Sequence, residues 1–167
     1  MKSPLRYPGG KTRAVKHILP HIPEDITELC SPFLGGGSLE LAVADRGTQV
    51  YGYDIFQPLT NFWHHLLRTP MSLSILSDCY RTTNGVLRGL TRHDFLQFKK
   101  DLMSKPATSI VDAAKFYALN RSSFSGATLS GGYSKQAAYK RFTNSSILRL
   151  WKFEVYNFEV EKAGFKE

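Results

Sequence analysis

The chain has 167 residues, 42% of them hydrophobic, which is enough to enclose a core within one ordinary domain and excludes a disordered tail. Lys and Arg outnumber Asp and Glu by 22 to 14, a net charge of +8 with a pI near 9.6, which fits a polyanionic partner without establishing one. No stretch approaches the roughly 18 apolar residues of a membrane span, and MKSPLRYPGGKTR has no apolar signal core, so neither a span nor a secretory leader is expected and the protein reads as cytoplasmic.

In chain order, a turn at Pro8, Gly9 and Gly10 precedes a short helix carrying Ala14, Val15, Ile18 and Leu19, which Pro20 and Pro23 should end. ITELCSPF reads as a buried strand running into Gly35, Gly36 and Gly37; SLELAVADRG reads as a helix closed by Gly47, and TQVYGYD as a second strand ending at Asp54. Strand, Gly-rich turn, helix and strand in about 30 residues is the pattern of a parallel Rossmann-like sheet. Residues 58–118 look mainly helical, with Leu59, Phe62, Trp63, Leu66 and Leu67 on one face and Thr91 as a helix N-cap. From Ser122 to Ser134 the Ser and Gly content predicts a long exposed loop, and WKFEVYNFEVEKAGF reads as a strand followed by a turn at Gly164.

Charge follows the same division. Residues 1–59 hold 6 basic and 6 acidic side chains, whereas residues 60–153 hold 14 basic and 4 acidic. We therefore expect an α/β cofactor-binding portion at 1–59, a mainly helical basic region at 60–150, and at 151–167 a strand that returns to the sheet. Cys30 and Cys79 lack a metal or redox spacing and read as reduced structural thiols. His17 and His21 stand four apart, but Pro20 intervenes and no carboxylate accompanies them, so no metal ligand is assigned; His64 and His65 are adjacent and should diverge on a helix.

A Gly-rich turn between strand and helix lets a ligand approach the backbone and offers it free amides, and an acid at the end of the next strand can accept hydrogen bonds from ribose hydroxyls. Asp54, 19 residues after Gly35, is in that place. Adenosine cofactors fit; the pattern alone does not separate a dinucleotide from S-adenosylmethionine, and a nicotinamide oxidoreductase would leave the basic region unexplained and has no candidate proton donor.

Four blocks in order narrow the choice. YPGGK at 7–11, SPFLGGGSLEL at 31–41, YGYDIFQPL at 51–59 and FYALNRSSFSGATLSGGYSK at 116–135 together resemble the Dam-like (D12 class) adenine-specific DNA methyltransferases over nearly the whole chain. The resemblance implies an α/β, Rossmann-like S-adenosylmethionine-dependent fold with a helical DNA-recognition insertion, acting on the exocyclic amine of adenine in double-stranded DNA by direct displacement with base flipping. It implies that Tyr7, Gly9 and Lys11 approach the cofactor, with Lys11 at its carboxylate or a nearby phosphate; that Pro32, Phe33, Gly35 and Gly37 shape the pocket; that Asp54 holds the ribose and Ile55 packs on the adenine. It also implies DNA contacts from Arg92, Asn120, Arg121, Phe124, Gly126, Tyr133, Lys135, Lys140 and Arg141, where aromatics interleave with cations. Arg68, Arg81, Arg88, Lys99, Lys100 and Lys105 add positive charge to the same region.

Two departures stand out. Ser31 occupies the position before Pro-Phe where the family often has an acid. The Asp-Pro-Pro-Tyr motif, which orients the target amine in that family, is missing, since none of the eight prolines adjoins another. The expectation is a fold incomplete at its catalytic end: no catalytic residue is assigned in this chain, which alone is expected to be inactive, and a separate chain carrying the motif is the partner this leaves open. The alternative is a DNA-binding or regulatory fragment, or a subunit of a split methyltransferase. GATC is the commonest site of the family, but the residues do not fix a recognition sequence.

Overall fold

A computed structural model of the chain describes residues 1–83, 86–87, 89–153 and 158–162. Three strands, β1 (Glu28–Ser31), β2 (Gln49–Asp54) and β5 (Phe158–Lys162), pair in the order β1-β2-β5, all parallel. Leu29 lies opposite Val50, which lies opposite Phe158; buried Val50, Phe158 and Val160 are the apolar residues that tie the sheet to the core. Parallel neighbours require a crossover. Between β1 and β2 it is the short helix α2 (Ser38–Ala44), whose Leu41, Val43 and Ala44 are buried. Between β2 and β5 lies the whole helical region of the chain.

That region is organised around α3 (Gln57–Arg68) and α6 (Ile110–Ser122). On α3 the residues Leu59, Phe62, Trp63 and Leu66 are fully buried, the face that the spacing predicts. On α6 Ala113, Ala114, Phe116, Tyr117, Ala118 and Leu119 are all buried, so this helix is enclosed nearly all round rather than amphipathic. Phe62 stacks on Tyr117 with ring centres 5.6 Å apart, and Trp63 meets Phe158 at 5.8 Å, which couples the helices to β5. Burying each such side chain contributes roughly 1.5–3 kcal/mol. The remaining helices, α1 (Val15–Ile18), α4 (Pro70–Cys79), α5 (Arg92–Ser104), α7 (Lys135–Lys140) and α8 (Asn144–Leu148), complete the shell, and Thr91 caps α5 by accepting from the Asp94 amide.

Several expectations are corrected. Pro20 does not stop the first helix but sits inside a 3-10 turn, Leu19–His21, that extends it. A small antiparallel hairpin, β3 (Thr82–Thr83) with β4 (Val86–Leu87), interrupts the region expected to be helical. The segment 122–134 is not an exposed loop: Ser122, Ser123, Gly126 and Thr128 are buried, and Ser123 pairs with Tyr133 in an isolated bridge. Its Ser and Gly residues serve tight turns with positive φ at Ser125, Gly126 and Thr128 rather than solvation. A side chain at Gly126 would overlap the Arg6 carbonyl, so only glycine fits there. The C-terminal strand begins at Phe158, because Leu150–Phe153 form a 3-10 turn whose Leu150 and Phe153 are buried. Cys30 and Cys79 are exposed rather than packed inside. His64 and His65 do not diverge fully, their rings meeting edge to face at 5.3 Å. The turn at Gly164 and the side chain of Arg88 lie outside the described residues.

A capping box starts α6: the Ser109 hydroxyl accepts from the Asp112 amide, and the Asp112 carboxylate accepts from Ser109 and Thr108 amides at 3.2 Å. Burial opposes its charged form, but the Ser109 hydroxyl and these amides outweigh it and hold the carboxyl below its ordinary value. A depressed folded-state pKa contributes stability above the unfolded value and loses it as pH falls through the folded one. Asp112→Asn should therefore lower the urea-unfolding free energy by roughly 1–2 kcal/mol at pH 7, and the gap to the native chain should close below about pH 4.

Candidate functional site

The turn after β1 is built on three contacts. Asp54, at the end of β2, accepts the Gly35 amide on Oδ2 and the Phe56 amide on Oδ1, each at 2.9 Å. The Leu34 amide donates to the Tyr53 carbonyl at 2.8 Å, and the Trp63 indole donates to the Gly35 carbonyl at 3.1 Å. On one side a side chain at Gly36 would meet Tyr7 Cβ at 2.9 Å. On the other, a side chain at Gly37 would meet the Trp63 ring at 2.7 Å, and its φ of +62° favours glycine independently. The turn is pressed between a tyrosine and a tryptophan. The N-terminal segment is fastened across it by a hydrogen bond of 2.9 Å between the Thr12 and Ser38 hydroxyls.

A cleft of ≈ 480 Å³ results, and Tyr7, Gly9, Lys11, Phe33, Gly35, Gly37 and Asp54 all line it. Seven residues selected from three separate sequence blocks are thus brought together. Pro32 and Ile55 are not: both are exposed outside the lining, Ile55 at 65%. Phe33, 79% exposed, stands at the mouth. Each Asp54 oxygen keeps one lone pair free beyond its backbone bond. Burial, and then the negative charge of Asp54, push the Tyr7 phenol up, so it stays protonated. Beside this cleft, sharing Tyr7 and Pro8 as a wall, lies a more apolar hollow of ≈ 600 Å³ between Phe56, Pro58, Leu102, Met103 and residues 126–130.

A family model described as D12 class N6 adenine-specific DNA methyltransferase matches residues 7–166. The chain belongs to that family. No curated protein matches it significantly. Membership implies a DNA adenine methyltransferase activity and a DNA substrate. No helix among the described residues is long and apolar enough to cross a membrane, and no group of three or more His, Cys, Asp or Glu among them could hold a metal ion.

Within this D12-class chain eight of the nine residues expected at DNA divide into two sets, and the ninth, Arg141, is half-buried with its carbonyl accepting from Arg121. Arg92, Phe124, Lys135 and Lys140 are exposed, Phe124 at 63%. Asn120, by contrast, is 1% exposed: its Oδ1 accepts from the Arg6 amide, and its Nδ2 donates to the Arg6 carbonyl at 2.7 Å and lies within reach of Gly126 O and Thr128 Oγ1. Arg121 donates to the Arg141 carbonyl from Nε and Nη2 at 2.9 and 2.7 Å and to the Pro4 carbonyl at 3.3 Å. Tyr133 donates its hydroxyl to the Leu90 carbonyl at 2.9 Å, and Gly126 is buried. These four residues are scaffold in this structure, because their polar atoms are committed to backbone or their surface is closed. Two cations of the basic middle are likewise engaged: Arg81 is buried on Asp78, and Lys99 donates to the Gly131 carbonyl.

Sequence reasoning missed Arg6 and Arg149. Burial, partly offset by Tyr117, and then the positive charges of Arg149, Arg141 and Arg6 push the Arg121 guanidinium down from its ordinary value; burial followed by Arg6 does the same to Arg141. Four arginines distant in sequence therefore share one neighbourhood, which no spacing could have signalled. Glu40, an acid lining the cleft, was also missed, although it lies within a block singled out for its glycines.

Because both Asp54 oxygens receive backbone amides, Asp54→Asn turns an amide NH2 toward one of those donors. It should lower the unfolding free energy by roughly 1–3 kcal/mol in a urea titration. A change within 0.3 kcal/mol would show that the clamp does not hold the turn.

Proposed function

We propose that this chain holds S-adenosylmethionine in the Gly35–Gly37 cleft and duplex DNA on its basic face, for transfer of the methyl group to the exocyclic amine of adenine. The convergence of the seven residues on one cleft carries the reading, within a chain whose family is that of adenine-specific DNA methyltransferases. The residues fit the cofactor: a glycine turn that any Cβ on Gly36 or Gly37 would obstruct, Asp54 lone pairs free for ribose hydroxyls, and Lys11 at the rim for a carboxylate. When bound, the cofactor supplies an electrophilic methyl group; the chain's part is to orient it and exclude water. The apolar hollow beside the cleft suits a base turned out of the duplex, with exposed Phe124 on the loop that borders it as a stacking surface. Residues 1–59 serve the cofactor, 60–150 the DNA, and 151–167 return the chain to the sheet.

Asp-Pro-Pro-Tyr does not occur in the 167 residues, so we assign the groups that orient the amine to a separate segment or chain, and the isolated chain to binding without turnover. The sheet is compatible with this. The order β5-β2-β1 corresponds to 3-2-1 of a doubly wound sheet, in which a fourth strand pairs beside the first, and the outer edge of β1 has no partner among the described residues. We infer a cytoplasmic protein that modifies DNA, in restriction-modification or another setting.

Titration calorimetry should give saturable S-adenosylmethionine binding that Lys11→Ala weakens on the order of 10-fold. The isolated chain should transfer no labelled methyl group to duplex DNA; transfer by it alone would refute the placement of the catalytic groups elsewhere. In DNA binding, Arg6→Ala should reduce the slope of log affinity against log salt by about 0.9, one phosphate contact, and an unchanged slope removes the arginine cluster from the interface.

A further inference from the structure

The cleft holds two carboxylates, and they are used differently. Asp54 spends one lone pair of each oxygen on backbone, fixing the turn. Glu40 enters from the first turn of α2 and is only 7% exposed. Its Oε1 accepts a hydrogen bond of 2.6 Å from the Ser31 hydroxyl at the end of β1. Its Oε2 accepts none, and among the described residues no cation lies within ion-pair distance of either oxygen. Oε2 is not one of the fully sealed, partnerless side-chain atoms of the described residues, and Glu40 lines the cleft. A carboxylate at a cleft wall with one oxygen unengaged is a suitable partner for a cation that a ligand brings in.

The same cleft supplies the complementary sign. Lys11 is exposed at the same cleft, its ammonium resting on the Gly9 carbonyl at 3.1 Å, where a stronger acceptor can displace that bond. A cleft lined by the exposed Lys11 ammonium and the Glu40 carboxylate matches a zwitterionic α-amino acid, while Asp54 matches a nucleoside. We propose that Glu40 binds the α-ammonium group of the cofactor's methionine half, and that Ser31 is a positioning residue that holds Oε1 so that Oε2 faces the ligand. This rests on the reading of the cleft as the S-adenosylmethionine site. The competing account is a structural brace between β1 and α2, in which Glu40 never touches a ligand.

Two probes separate these accounts: S-adenosylmethionine, and 5′-methylthioadenosine, which keeps the nucleoside and thioether and lacks the amino-acid end. Glu40→Gln preserves size and an oxygen acceptor for Ser31. It should weaken S-adenosylmethionine binding on the order of 10- to 100-fold and leave methylthioadenosine unchanged. Loss of affinity for both probes alike, or for neither, overturns the role of Glu40 while the cofactor reading stands. If the native chain binds neither probe, the cofactor reading falls and this assignment with it. Should Glu40→Gln fail to show a native melting transition, Ser31→Ala decides: the ratio of the two affinities should fall roughly 3- to 10-fold, and an unchanged ratio overturns the proposal.

Discussion

The Asp54 carboxylate is the interaction on which the cleft depends. At the end of β2 it accepts the Gly35 amide from the first crossover and the Phe56 amide that opens α3, so one side chain joins the turn after β1 to the helical region after β2. The turn can lie there because Gly36 and Gly37 leave no Cβ between it and its neighbours Tyr7 and Trp63. Trp63 in turn belongs to the aromatic core, meeting Phe62 at 5.8 Å and Phe158 at 5.8 Å. The geometry of the site is thus continuous with the densest packing in the molecule, where small displacements are resisted.

The N-terminal segment is the second structural joint. Pro4 and Arg6 are bound by Arg121 and Asn120 through three main-chain groups, while Tyr7, the next residue, forms the wall shared by the two cavities. Asn120 also reaches Gly126 and Thr128. The loop that presents Phe124 and the wall of the Gly35–Gly37 cleft are therefore held through one buried asparagine. A side chain at the centre of such a network is poorly suited to leave it for a base edge, since each vacated partner would be a buried, unsatisfied polar group. Phe124 and Arg6 remain exposed in this region, beside arginines whose positive charges repel one another.

Where sequence and structure agree, the signal was periodic or local: the positions of β1 and β2, the buried face of α3, the Thr91 cap and the glycine turn each rest on residues within a few positions of one another, whereas the expected burial of β1 fails because it lies at the sheet edge with its residues exposed or half-buried. Where they part, the deciding contacts are remote in sequence. Asn120 and Arg121 look like recognition residues beside a Ser and Gly stretch, and only their pairing with residues 4 and 6 shows them to be scaffold. Ser and Gly at 122–134 carry the same composition whether a loop is solvated or folded back, and Thr128, with a φ of 50°, takes the second course because Asn120 and Ser123 bind it. The separation of Ile55 from the cleft and the gathering of Arg6 with Arg149 were equally invisible to spacing.

Ser31 and Glu40 show how a departure in one motif position can be read physically. A serine where the resembled pattern often has an acid looks at first like a lost charge. In the fold its hydroxyl lies 2.6 Å from a carboxylate nine residues later, on the helix that crosses back over the sheet. Glu40 lines the cleft and Ser31 is tied to it through that carboxylate, so the negative charge sits on the helix rather than at the strand end. A charge requirement of this kind belongs to the cavity rather than to a sequence position. The same argument explains why the block SPFLGGGSLEL holds together as a unit: its glycines, Ser38 and Glu40 line one volume, and Ser31 joins them through its bond to Glu40.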